Sequence, residues 1–249
     1  MASDYRTAAD DFFVNMDLET TLALPTSRET VLLFCEAIQR EFPEMTGFFQ
    51  RDGDTYVLEG DREKDQYRWM ELHPKRLSSG AFNPADLDEA SHLHRWLLDR
   101  STYFLGIGGL DVDCLNVTLG FNFNFVGNRD EIVAAALLGD SPLAAMSSQA
   151  GVRCLEFQPW VVVSLDEECY LQARLGLETR SSSYEVRTGQ YNDEPISVYL
   201  TVRRYDRPGE TVKPVEWLAQ LTRTCDDLVD QIVRPNVLRP LAEAIAAAE

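Results

Sequence analysis

Histidine is nearly absent from this chain. Three occur in 249 residues: His73, His92 and His94. His92 and His94 lie two apart in a helical stretch and point to different sides, so they read as surface or partly buried side chains, not a chelating pair. No metal site is expected. Cysteine is equally sparse, at five: Cys35, Cys114, Cys154, Cys169 and Cys225. The number is odd, the spacing wide, and no Cys-x-x-Cys occurs. That excludes a disulfide framework or zinc ribbon and reads as buried free thiols in a reducing compartment. No apolar run approaches the ~18 residues of a membrane span. The first eleven residues are polar and acidic, with no cationic start and apolar core, so no signal peptide is read and a cytoplasmic location is expected. Basic residues are outnumbered 23 to 41, for a net charge of −18. Such a chain repels phosphate backbones, which argues against nucleic acid and anionic membranes as partners.

Catalytic and cofactor signatures are missing too. There is no Gly-x-Ser-x-Gly nucleophile turn. Gly106-Ile107-Gly108-Gly109 precedes a strand, the wrong order for a dinucleotide loop, and reads as a helix stop. No cofactor is expected. The sequon at Asn116 lies within a strand and carries no weight.

What is present is alternation. From Asp113 to Val126, Leu115, Val117, Leu119, Phe121, Phe123 and Phe125 fall on one face, with Cys114, Asn116, Thr118, Gly120, Asn122 and Asn124 on the other. Period-two patterning of this kind marks a strand with one buried face, here the long centre of an antiparallel sheet. Phe13–Leu24 repeats the pattern, with Val14, Met16, Leu18, Leu22 and Leu24 against Asn15, Asp17, Glu19 and Thr21. Thr26 and Glu29 then form a capping-box signal, and Val31, Phe34, Cys35, Ile38 and Phe42 give a helix its apolar stripe.

Strands are expected at 47–51, 55–59 and 67–73, the first two joined by an Asp52-Gly53-Asp54 turn. Residues 74–85 read as a loop and 84–100 or a little beyond as a helix. After 113–126 come a helix capped by Asn128, a small-residue connection over 139–150, and strands at 152–165, 170–180, 184–188 and 196–204. Pro159 marks the first of these as an edge or bulge. Pro214 opens a long helix that Pro235 and Pro240 interrupt. The fold class is therefore α+β: an antiparallel sheet with helices packed on one face. Residues 12–109 and 110–249 can be read as two strand–helix–strands–helix halves, or as one continuous domain.

Candidate site residues come from the polar faces. Asparagine is depleted in strands, yet Asn122 and Asn124 sit on the wet side of the most apolar one. With Arg174 on another well-patterned strand, they could floor a ligand site. Glu71 and His73 share a strand face and could serve as an orienting carboxylate and a general base. Arg203, Arg204 and Arg207 read as a solvated hairpin end, and Trp96, Trp160 and Trp217 as packing residues.

The strand–helix–strands–helix order resembles the helix-grip arrangement, and the doubled saddle shared by the TATA-binding protein and gyrase-inhibitor-like small-molecule-binding domains. The acidity departs from the DNA-binding member. The resemblance implies a binding protein holding a small molecule or peptide on the polar sheet face. Two other functions fit the same chain: a self-associating protein, such as a homodimer, pairing through an edge strand, and a hydrolase or isomerase using Glu71 and His73.

Overall fold

The computed structural model describes residues 5–248 apart from 52, 140, 148 and 150, and gives only the backbone of residues 6 and 147. The tail Met1–Asp4 and the turn residue Asp52 lie outside the described residues.

The strands are β1 (Asp11–Thr20), β2 (Gly47–Arg51), β3 (Thr55–Glu59), β4 (Tyr67–His73), β5 (Arg76–Phe82), β6 (Val112–Phe123), β7 (Trp160–Ser164), β8 (Leu171–Glu178) and β9 (Ile196–Tyr205). They form one nine-stranded sheet in the order β2-β3-β4-β5-β1-β6-β9-β8-β7, antiparallel at every pairing. The central pair is β1 with β6, the two strands with the cleanest alternation. Each is followed by a helix and then by a strand at its own far edge, from which the chain works back to the centre.

The buried side follows from the period. Phe12, Val14, Met16 and Leu18 of β1 are at most 1 % exposed, and Leu115, Val117, Leu119 and Phe121 of β6 are fully buried. Each such side chain contributes roughly 1.5–3 kcal/mol by leaving water. Helices α1 (Arg28–Glu41), α2 (Leu87–Leu105) and α6 (Pro214–Leu228) lay their apolar stripes on this face. Helix α3 (Arg129–Leu137) packs on α7 (Arg239–Ala248). Two short helices, α4 (Ala144–Ser147) and α5 (Ser183–Thr188), lie in connections.

Several expectations are corrected. The α1 cap is Ser27, whose hydroxyl accepts from the Thr30 amide at 3.2 Å, one residue beyond the Thr26 expected. Leu22 lies past the end of β1 and is exposed. Residues 76–82, read as a loop, are strand β5, held between β1 and β4. Residues 184–188, read as a strand, lie in helix α5, where Ser182 and Glu185 form a capping box. The strand expected over 152–165 is reduced to 160–164.

The C-terminal helix does not break at Pro235. Between α6 and α7 the chain continues as a π-helical segment, Val229–Leu238, with Pro235 inside it. The wider turn eases the clash between the proline ring and the preceding carbonyls. Burial of Val229, Val233, Val237 and Leu238 offsets the missing hydrogen bond. Tyr5, expected in a frayed tail, is 3 % exposed and stacks on Phe12 with ring centroids 4.9 Å apart. Its hydroxyl donates to Asp226.

Candidate functional site

The face of the sheet opposite the helices carries the odd-numbered residues of β1 and the even-numbered residues of β6. Strand register arranges them in rows. One row runs Glu71, Ser78, Asp17, Asn116, Arg203, Gln172. It is knitted by Ser78 Oγ donating to Asp17 at 2.6 Å and Arg203 Nε donating to Asn116 Oδ1 at 2.6 Å. The next row runs Trp69, Gly80, Asn15, Thr118, Thr201, Arg174, Val162. Here the Thr118 and Thr201 hydroxyls are 2.8 Å apart.

The third row is aromatic and glycine: Tyr67, Phe82, Phe13, Gly120, Tyr199, Gly176, Trp160. The glycines explain the rings. A Cβ on Gly120 would come 2.0 Å from Phe13 Cζ, and one on Gly80 would come 2.2 Å from Trp69 Nε1. Both rings therefore lie over the bare backbone of the neighbouring strand. Phe13 meets Tyr199 edge-on at 5.9 Å.

At the β9–β8–β7 end, these rows surround an open recess of about 510 Å³. Thr118, Thr201 and Gly176 form its floor, Tyr199 and Trp160 its aromatic walls, and Glu156 and Gln158 enter from the segment before β7. The Arg174 guanidinium sits 5.1 Å from the Trp160 ring centroid, a cation–π contact. Among the described residues, Arg174 has no hydrogen bond or ion pair. Glu178 is different: Arg180 donates to it at 3.0 Å and the Tyr199 hydroxyl at 3.3 Å. The recess thus holds one cation without a partner among the described residues, a pair of hydroxyls and two aromatic surfaces, beside the carboxylates of Glu156 and Glu178.

Of the residues expected from sequence, Arg174 lines this recess. Asn122 is on the same sheet face, but its Oδ1 accepts from Ser197 Oγ at 2.7 Å and it lies outside the recess lining. Asn124 falls beyond the end of β6 and is exposed, with its amide donating to Asp10. The three do not converge. Glu71 is engaged by Arg51 at 2.5 Å. His73 is exposed at the end of β4, opposite Arg76 in register. Among the described residues no hydrogen bond joins Glu71 to His73.

Other sequence readings shift. His94 is fully buried, with Nδ1 2.7 Å from Ser79 Oγ, and desolvation by burial lowers its pKa to about 3. Cys35, Cys114 and Cys225 are buried thiols pushed up to about 12 by desolvation, but Cys169 is exposed. Trp217 is buried and Trp96 packs on the core, whereas Trp160 is 67 % exposed. The Arg203–Arg207 cluster is not free. Arg203 reaches Asn116, Arg204 covers Trp217 and pairs with Glu210, and Arg207 covers Tyr170 and pairs with Asp166.

Sequence reasoning missed Thr118, Tyr199, Thr201 and Trp160 as site residues. The usable signal was phase: Ser197, Tyr199, Thr201 and Arg203 alternate with the apolar set of β9. A second cleft of about 340 Å³ lies between α2 and α6, where Arg95 and Arg223 face Asp86, Asp88 and Asp226. Its walls carry charges of both signs, as those of the recess do, but no aromatic ring. Among the described residues no three His, Cys, Asp or Glu side chains converge as a metal site, and no helix is long and apolar enough to cross a membrane. The sequence matches no protein-family model, and no curated protein is significantly similar to it.

Proposed function

We propose that this chain is a binding protein that holds a small molecule, or the end of a peptide, in the recess of Thr118, Trp160, Arg174, Tyr199 and Thr201. The observation that carries this reading is the state of Arg174. A guanidinium resting against an indole, without an acceptor among the described residues, has its N–H donors available to a planar anion. A carboxylate is the matching group. The Tyr199 and Trp160 rings suit an apolar or aromatic body next to it, and the Thr118–Thr201 pair can give or take hydrogen bonds. Concave sites with a few convergent polar groups on an apolar lining are the usual form of small-ligand sites.

The test uses benzoate, indole-3-acetate and N-acetyl-phenylalanine as probes, with the corresponding primary amides as uncharged controls. A ligand at about a hundred times its dissociation constant stabilises the native state by about 2.7 kcal/mol. A carboxylate probe is expected to raise the melting temperature and to alter Trp160 fluorescence. The amide is expected to do less, and Arg174→Gln should remove the difference between them. Equal responses of the wild type and Arg174→Gln, or no response to any carboxylate, would refute the reading.

A further inference from the structure

β7 is the outermost strand at one end of the sheet, so one of its hydrogen-bonding edges has no partner strand among the described residues. Monomeric sheets blunt such edges with charge, bulges, outward-facing proline or a covering loop. Among the described residues, β7 carries no such guard apart from Pro159. Its residues are Trp-Val-Val-Val-Ser, and the chain is uncharged from Phe157 to Leu165. Val161, Val162 and Val163 are 53 %, 46 % and 48 % exposed.

Pro159 is the one residue of guarding type, and it faces the wrong way. The Leu177 amide donates to the Pro159 carbonyl, and the Leu165 amide donates to the Leu171 carbonyl. Val161 pairs with Leu175 and Val163 with Ala173 between those two points. Backbone groups alternate in direction along a strand, so residues 159, 161, 163 and 165 bond to β8. Trp160, Val162 and Ser164 therefore aim their N–H and C=O groups outward. The missing proline N–H costs the open edge nothing.

We propose that β7 is a self-association edge, at which a second copy of this chain pairs antiparallel about a two-fold axis through Val162. The outward set is symmetric about that residue. Val162 would exchange both backbone bonds with Val162 of the second copy, and Trp160 with Ser164 of the second copy. Val161 would meet Val163 of the second copy on the helix side of the sheet. The seam is thus apolar against apolar, and its lack of charge lets two strongly acidic chains meet without opposing carboxylates. Use of the same strand on both copies closes the assembly as a dimer. Pairing of β7 with the opposite edge, β2, would instead grow without end. The inference does not depend on the recess being a ligand site.

Sedimentation equilibrium across a wide concentration range tests it, using wild type, Val161→Glu, Val163→Lys and the double variant. Wild type is expected to be a dimer. Each single change buries a charge at the seam and is expected to raise the dissociation constant at least about tenfold. In the double variant the introduced carboxylate of one copy faces the introduced ammonium of the other, and most of the affinity should return. Both positions are half exposed in the monomer, so far-UV circular dichroism should be unchanged. Hydrogen exchange gives an independent readout: the Trp160, Val162 and Ser164 amides should slow as wild-type concentration rises. A wild type that stays monomeric, a ladder of species beyond the dimer, single variants that dimerise as well as wild type, or a double variant no better than the singles would overturn the proposal.

Discussion

His94 makes the sharpest stability prediction. Its ring is fully buried against Ser79, and desolvation lowers its pKa from 6.5 to about 3. The folded protein therefore keeps it neutral through the mildly acidic range, while the unfolded chain binds a proton below about pH 6.5. Stability is fully present above that pH and is lost as pH falls toward 3, because the proton favours the unfolded state. Each pH unit in that window costs about 1.4 kcal/mol. Acidification from pH 7 to pH 5 should therefore cost about 2 kcal/mol. Comparison with a variant that cannot titrate at this position separates His94 from the exposed His73 and His92. Urea unfolding at pH 7 and pH 5 measures the loss directly, given an unchanged denaturant slope. His94→Gln cannot titrate, yet its amide can still meet the Ser79 hydroxyl. That variant should be less stable at pH 7 and nearly flat down to pH 5. An equal pH 7-to-5 loss in wild type and His94→Gln would refute the argument.

Three further outcomes can be checked. Gly80→Ala puts a methyl group where Trp69 Nε1 and Asn15 Oδ1 now lie, at 2.2 Å and 2.5 Å. It should cost about 1–3 kcal/mol by overpacking and shift tryptophan emission to longer wavelength as Trp69 leaves the sheet; an unchanged spectrum would contradict the stacked position. Arg129 is fully buried and donates to the carbonyls of Thr179 at 2.6 Å and Asn192 at 2.8 Å, with Glu185 at 3.4 Å. Arg129→Ala should cost about 3–5 kcal/mol, with limited proteolysis opening first between residues 179 and 192. Glu185 is held below the usual carboxylate range by the Asn192 amide, then the Ser182 hydroxyl and the Arg129 guanidinium. Its contribution is present above the ordinary glutamate value and lost as pH falls through its lowered one, so Glu185→Gln should flatten the acid limb of the stability curve measured by urea midpoints.

The legible parts of the chain were those where one residue's neighbours in sequence are also its neighbours in burial. Val14, Met16 and Leu18, or Leu115 through Phe123, alternate because a strand with one covered face must. The stripe of α1 is readable for the corresponding reason at helical period. Strand β5 was illegible because Ser78, Ser79 and Gly80 have turn chemistry locally. Their strand conformation comes from β1 and β4 on either side, and Gly80 is small because Trp69 lies on it. Residues 184–188 alternate weakly enough to pass for a strand, but the Ser182–Glu185 capping box and the bonds from Arg129 fix a helix there.

The candidate site divides in the same way. Arg174 was visible as a cation on the polar side of a patterned strand. Its company was not visible, because Thr118, Trp160, Tyr199 and Thr201 come from three other strands and meet only through register. Asn122 and Asn124 looked equivalent in sequence, yet β6 ends between them, so one hydrogen-bonds within the sheet and the other faces water. Alternation and charge, both local properties, determined the α+β class, the buried faces and the acidic surface. Strand order, the recess and the bare edge of β7 were decided by which strands pair, a long-range choice set by the packing of all the apolar faces together.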